Sequence, residues 1–378
     1  MAAIREIVVF NMGEITNAGN CAGTAGTAYA GVNVTLAELN QKAVVGTIQL
    51  AALDSRVSTN TAFGMTVDKS GNIYISDYAA NMVYKMTEGG KINHLAGAGG
   101  VGADNRSLQK VAGTSARFNG PSGITCDNSG NIYVADKLNN QIRKITDGYV
   151  SVLAGNGATT AGLVDATANP LQAQFSAPLD VAVDNSGNVF VADSSNYAIR
   201  KITGGRVLNI CGGTQATVGA DLQNAKARNI VGSRNFFRTM TSIAVNANGD
   251  LFVSDSALRN IKKITPNGWV YLFSGSEADG KSLGTATTTT VAARKAYTCS
   301  YNNPTMVRCA RDGYVYVLDA GKDTARSGYY SSRLVKLTPN GVPSNVVEFH
   351  DSSAEASQGV RAFAISPANR IFVAVIHT

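Results

Sequence analysis

GPSGITCDNSGNIYVADKLNNQIRKITDGYVSVLAGNG, residues 120–157, holds four short β-type runs divided by turn residues. GITCD is followed by NSGN, then IYVAD, KLNN, QIRKI, TDG and YVSVLAG. β-branched and aromatic residues fill the runs, and Gly, Asn, Asp and Ser fill the gaps. The centre of the unit recurs as GNIYISD (71–77), GNIYVAD (130–136), GNVFVAD (187–193), GDLFVSD (249–255) and GYVYVLD (313–319), and in eroded form as NRIFVAV (369–375). The steps are 59, 57, 62, 64 and 56 residues. A lone four-stranded antiparallel sheet cannot bury both faces, whereas sheets stacked radially as blades can. The expectation is therefore all-β: a six-bladed β-propeller of four-stranded antiparallel blades. A parallel β-helix repeats over far fewer residues.

ARFNGPSGITCDNSGNIYVADKLNNQIRKI (116–145) and AQFSAPLDVAVDNSGNVFVADSSNYAIRKI (173–202) resemble the NHL-repeat propeller family. The resemblance covers roughly residues 60–375; the first and fourth units match less well, the fifth is interrupted, and the sixth keeps two strands. It implies the propeller fold. It leaves function open, because such propellers occur in RNA binders, protein binders, lyases and surface proteins.

The sixth unit supplies only RAFAIS (361–366) and RIFVAVIHT (370–378). IREIVVFN (4–11) and GEITNAG (13–19) line up with the third and fourth strands of a repeat. The expected organisation is one domain over 1–378. Residues 1–19 close the last blade, 20–60 form a long connecting excursion, and 61–378 carry the repeats. Closure removes the sheet edges that would invite aggregation.

Charged residues make up only 16%, and 39 glycines suit turn-rich β structure. Neither a signal-peptide pattern nor a long apolar run is found, so no membrane insertion is expected. A chain rich in Thr, Asn and Gly with few charges suits a virion or extracellular surface assembly; a cytoplasmic setting is the alternative. Cys21, Cys126, Cys211, Cys299 and Cys309 are odd in number and show no metal-ligand spacing. Cys126, Cys211 and Cys309 read as buried free thiols, and no disulfide framework is expected.

Asp77, Asp136, Asp193, Asp255 and Asp319 close the second strand of five units. A carboxylate before a turn accepts backbone N–H bonds, which makes these repeat residues structural. Lys85, Lys144, Lys201, Lys263 and Lys336 form a second series that reads as a solvated rim. His94, His350 and His377 lie at different radial positions, so no histidine-held zinc is expected, and no clustered carboxylates suggest calcium. No catalytic residue, cofactor or metal is assigned. Asp180 and Ser122, at the start of inner strands, keep an axial enzyme of lactonase or lyase type as the alternative.

The long connections, about 98–119, 156–176, 213–240 and 276–305 with the insertion 321–332, all emerge on one face of the disc. They carry Arg106, Lys110, Arg117, Lys226, Arg228, Arg234, Arg238, Lys281, Arg294, Lys295, Lys322 and Arg326 against fewer acids. Most of the formal charge of +7 therefore falls on one face. The expected role is a non-catalytic interaction or structural module that docks to other proteins of a larger assembly, with a phage virion component (decoration, fibre or tail) preferred. An acidic surface or glycan suits such a face. Nucleic acid suits it less, because few aromatics accompany the bases; an RNA-binding module is a further alternative.

Overall fold

The computed structural model describes residues 3–11, 32–35, 48–49, 64–87, 91–99, 110–157, 162–213, 237–275, 301–322, 330–350 and 359–377. The chain begins with β1 (Ala3–Asn11), β2 (Val32–Thr35) and β3 (Ile48–Gln49). The first repeat gives β4 (Met65–Val67), β5 (Ile73–Asp77), β6 (Met82–Met86) and β7 (Ile92–Ala96), followed by β8 (Val111–Ala112). The second gives β9 (Pro121–Cys126), β10 (Ile132–Asp136), β11 (Gln141–Thr146) and β12 (Tyr149–Ala154). The third gives β13 (Pro178–Val183), β14 (Val189–Asp193), β15 (Ala198–Thr203) and β16 (Arg206–Gly212). The fourth gives β17 (Met240–Val245), β18 (Leu251–Asp255), β19 (Asn260–Ile264) and β20 (Val270–Gly275). The fifth gives β21 (Pro304–Cys309), β22 (Val315–Lys322), β23 (Tyr330–Leu337) and β24 (Pro343–His350). The last strands are β25 (Gly359–Ile365) and β26 (Arg370–His377).

Each of the five repeats is an up-and-down antiparallel blade, and together they make an all-β propeller. The remaining strands form a sheet in the order β25-β26-β1-β3. In it β1 runs antiparallel to β26, from Ala3↔His377 to Asn11↔Arg370. The position beside β1 is occupied by Ile48–Gln49, which pair with Ile7 and Glu6. The expected second closing strand, 13–19, lies outside the described residues. β2 was not anticipated: it adds to the fifth sheet, parallel to β24.

The core lies between blades. Met65, Ile73 and Met86 of the first repeat share one cluster with Leu318 and Leu334 of the fifth and with Phe363, Ile371 and Val373 of β25 and β26. The inner strands come very close to each other. A Cβ on Gly64 would meet Ile124 N and Ser122 O at 2.7 Å, and one on Gly123 would strike the Asp180 side chain and backbone. Glycine at these two positions is what lets neighbouring blades approach.

At one end of the propeller the turns are tight and hold a repeated carboxylate network. Asp127 Oδ1 accepts from Ser129 N and Asn131 N, and Oδ2 accepts from Asn131 Nδ2 and Tyr133 OH. Asp68 does the same with Ser70, Asn72 and Tyr74. Partial burial would raise the Asp127 pKa, but the Asn131, Tyr133 and Ser129 donors outweigh it and lower it. No helix among the described residues is long and apolar enough to cross a membrane.

Candidate functional site at the loop-bearing end and the axis

In these blades the connections from strand two to strand three and from strand four to the next strand one leave from the same end. That end carries the long segments between β7 and β9, β12 and β13, β16 and β17, and β20 and β21. Its floor is a set of buried aspartates. Asp136 accepts from Asn119 N at 2.7 Å and Asn139 Nδ2 at 2.8 Å. Asp193 accepts from Ser176 N and Asn196 Nδ2. Asp255 accepts from Arg238 N, Thr239 N and Leu258 N. Asp319 accepts from Asn302 N and Asn303 N. Each carboxylate thus pins the residues through which a long connection re-enters the next inner strand.

A buried cation faces each of these four acids. Arg143 Nη1 lies 3.0 Å from Asp136, Arg200 Nη1 3.2 Å from Asp193, Lys262 Nζ 3.9 Å from Asp255, and Arg333 Nη2 2.7 Å from Asp319. Arg143 and Arg200 are wholly buried. They also donate to the carbonyls of Arg117 and Gln174 and lie over the rings of Phe118 and Phe175. Lys262 lies over Phe237 in the same way. Burial pushes the Asp136 carboxyl upward, and Arg143 with its other donors pulls it back. Burial likewise raises Asp193, to about 6, against Asn196, Ser176 and Arg200.

The first blade departs from this pattern. Asp77 is buried and accepts from Ala79 N and Ala80 N, but the residue seven positions later is Tyr84, not a cation. Asp77 Oδ2 has no partner. Burial raises this carboxyl, and only the two backbone bonds oppose it.

Among the basic residues singled out from sequence, Lys110, Arg117 and Arg238 are exposed at the loop-bearing end, and Lys322 closes β22. Arg106, Lys226, Arg228, Arg234, Lys281, Arg294, Lys295 and Arg326 lie outside the described residues. The lysine series is not a freely solvated rim. Lys85, Lys144, Lys201, Lys263 and Lys336 are half-buried, each 5.5–5.8 Å from the centroid of a strand-two ring, namely Tyr74, Tyr133, Phe190, Phe252 and Tyr316. The cross-strand register places them there, as in Tyr133↔Lys144.

At the axis, Asp180 on β13 is buried and accepts from Val181 N, Ile243 N and Ser242 Oγ, the last at 2.5 Å. Arg308 on β21 donates through Nη1 to Asp180 Oδ2 at 3.2 Å and to Ser242 Oγ at 2.9 Å. Ser122 instead donates to backbone carbonyls, of which Leu179 O is at 2.8 Å. Ser242 and Arg308 were missed in the sequence. Ser242 occupies the register position of Asp180 in the next repeat, and Arg308 breaks a series of Thr and Ala, which is the signal that could have found them.

His94 is exposed on β7. Among the described residues no three His, Cys, Asp or Glu side chains group to hold a metal. Cys126, Cys211 and Cys309 are free. Burial raises all three thiols, Cys126 to about 11 and Cys211 to about 12.

The teneurin NHL domain family matches residues 39–327, and the chain belongs to that family. Mouse Teneurin-3 is 23% identical over 368 residues, covering 88% of this chain and 13% of Teneurin-3. Human Teneurin-4 is 24% identical, covering 74% of this chain and 11% of the relative. The chain thus spans a small part of these curated relatives. Among solved structures, a catalytically inactive virginiamycin B lyase from Staphylococcus aureus is 15% identical, with 85% of this chain and 82% of that chain covered and a TM-score of 0.45. A gluconolactonase from Xanthomonas campestris is 10% identical, with 86% and 93% covered and a TM-score of 0.48.

Proposed function

We propose that this teneurin NHL domain is a non-catalytic docking module, a closed ring of six blades that meets a protein partner of a larger assembly through its loop-bearing end. The observation that carries the reading is the set of Asp–cation clamps beneath that end. Loops rooted on buried ion pairs can be long and variable in sequence while their ends stay fixed, which is how rigid scaffolds present binding segments. At the opposite end the described turns within the repeats are short, and carboxylates such as Asp127 are already satisfied from within, although the connection that follows β1 also departs there, at Asn11 beside Arg370. Six-blade closure is supported by the long β1–β26 pairing and by the hydrophobic cluster shared between the fifth repeat, β25, β26 and the first repeat.

The partner is an acidic protein surface, since the loop sequences carry twelve of the basic residues against fewer acids. The curated relatives hold this region within far longer chains, which supports a module set in a larger body. A virion is one such body, suggested by composition alone. The non-catalytic reading is supported at the axis. Ser242 Oγ donates to Asp180 and accepts from Val307 N and Arg308, with no histidine beside it among the described residues to serve as a base.

The test is charge reversal of Arg228, Arg234 and Arg238 to Glu. The Arg238 backbone N–H, not its side chain, holds Asp255, so the clamp survives. The variant should melt like the parent yet fail to co-elute with the large assembly isolated from its source, and the parent's association should weaken with salt. Normal assembly of this variant, with loss of assembly on Ser129→Arg and Ser186→Arg at the turn end, would place docking on the wrong face.

A further inference from the structure

The axis holds a guanidinium with one arm, Nη2, unpartnered. Arg308 pairs with Tyr316 across β21 and β22. The residues at the same register position of the other inner strands pair likewise with a strand-two aromatic. They are Thr66, Thr125, Ala182, Ala244 and Ala364. One register position of the inner strands therefore holds two hydroxyls, three methyl groups and a single long cation, the alanines being buried in the clusters between blades.

Arg308 does not project onto its own neighbouring blade. It turns back past β17 to reach β13, two sheets away. Every bond it makes there uses Nη1, which serves Asp180 Oδ2, Ser242 Oγ and its own neighbour's carbonyl, Val307 O at 2.8 Å. Nη2 is buried and has no partner. Asp180 cannot supply one. Its Oδ2 already takes Ser242 Oγ, Ile243 N and Arg308 Nη1, while Oδ1 takes Val181 N and is packed against Gly123. The carboxylate thus fixes the direction of the guanidinium and leaves its second arm unused. The side chain as a whole is 15% exposed while Nη2 itself is buried, so only a small ligand that enters beside the guanidinium can reach this arm.

We propose that the axial level at Arg308 is a binding site for a small oxyanion of the carboxylate or phosphate class, held by Nη2. A fixed planar guanidinium with free N–H groups in a poorly solvated place favours such an acceptor over a neutral one. Asp180 and Ser242 are positioning residues, since they orient Arg308 and have no donor to spare for the ligand. The site is independent of loop-end docking and stands or falls apart from it.

The experiment is thermal melting and calorimetric titration of the full chain with sodium acetate, sodium succinate and inorganic phosphate at constant ionic strength, against a chloride control. At least one anion should raise the melting temperature saturably beyond chloride, and the three series separate carboxylate from phosphate recognition. Arg308→Lys keeps a charge for Asp180 but removes the second arm, and should weaken that anion at least tenfold. A parent without a saturable response, or a response unchanged in Arg308→Lys, overturns the site. If Arg308→Lys fails to fold, crystals of the parent soaked in selenate decide. An anomalous peak within hydrogen-bond distance of Nη2 sustains the proposal, and none there ends it.

Discussion

A buried carboxylate with a guanidinium at hand and one without are opposite cases for stability. Asp136 neutralises the wholly buried Arg143, so Asp136→Asn leaves that cation unpaired and should cost about 3–5 kcal/mol. Asp77 has no cation, and Oδ2 has no partner. Asp77→Asn keeps the acceptor for Ala79 N and Ala80 N and should change stability by at most about 1 kcal/mol at neutral pH. The pH dependence separates them further. The folded Asp77 pKa lies above its ordinary 3.8, so the native state binds more protons than the unfolded state just above that value. Its contribution is therefore most favourable at low pH and is lost as pH rises through the raised pKa. Asp77→Asn should flatten that part of the curve, gaining on the parent as pH rises above the ordinary carboxylate range. Urea unfolding through and above that range checks both, and an Asp77→Asn loss as large as that of Asp136→Asn would refute the distinction. The aspartates were legible because they recur at the repeat period. The burial of Arg143, Arg200 and Lys262 was not, because strand alternation says only that they face away from the following lysines, not which face is closed. Arg308 was hidden for a related reason: its partners are 128 and 66 residues away and no other repeat has its like.

Propeller strands leave an outer edge on every blade, and this chain covers edges with pieces of its own connections. β8 pairs Ala112 with Tyr149 and Val111 with Val150 on the outer strand β12. The next connection lends Ala166 to Val207 of β16. β2 does the same for β24, in parallel. Such cover blocks edge-to-edge pairing between molecules. Val111→Pro cannot sustain the short β8 ladder. It should raise hydrogen exchange in β12 and promote self-association on mild heating, seen by light scattering, while the inner strands stay protected. Unchanged exchange at Val150 and Ser151 would show that β8 protects nothing. These edge strands escaped the sequence reading because two to four residues carry no periodicity. They are strands only because an open edge lies within reach of a long connection. By contrast the four strands of each repeat were readable from alternation and turn residues, and β1 from its likeness to the third strand of a repeat.

At the level of the ring, the two chain ends meet in one sheet. β26 has β25 on one side and needs a neighbour on the other, and β1 supplies it from Ala3↔His377 to Asn11↔Arg370. Behind that pairing lies the cluster in which Phe363, Ile371 and Val373 contact the cores of the first and fifth repeats. If closure is the function of this pairing, deleting residues 1–11 removes more than one strand's hydrogen bonds. It opens β26 and loosens two blade interfaces at once, because a cyclic array has no end that can fray independently. The truncated chain should melt well below the parent and elute as higher oligomers, since an unpaired strand edge recruits another molecule. A synthetic peptide of residues 3–11, added in excess, should bind at the vacated place and raise the melting temperature in a saturable way, as a ligand that binds only the folded state must. A scrambled peptide of the same composition should not. Equal melting of the truncated and full-length chains would mean that the sheet of β25 and β26 stands without β1, and the ring-closing reading would have to be abandoned.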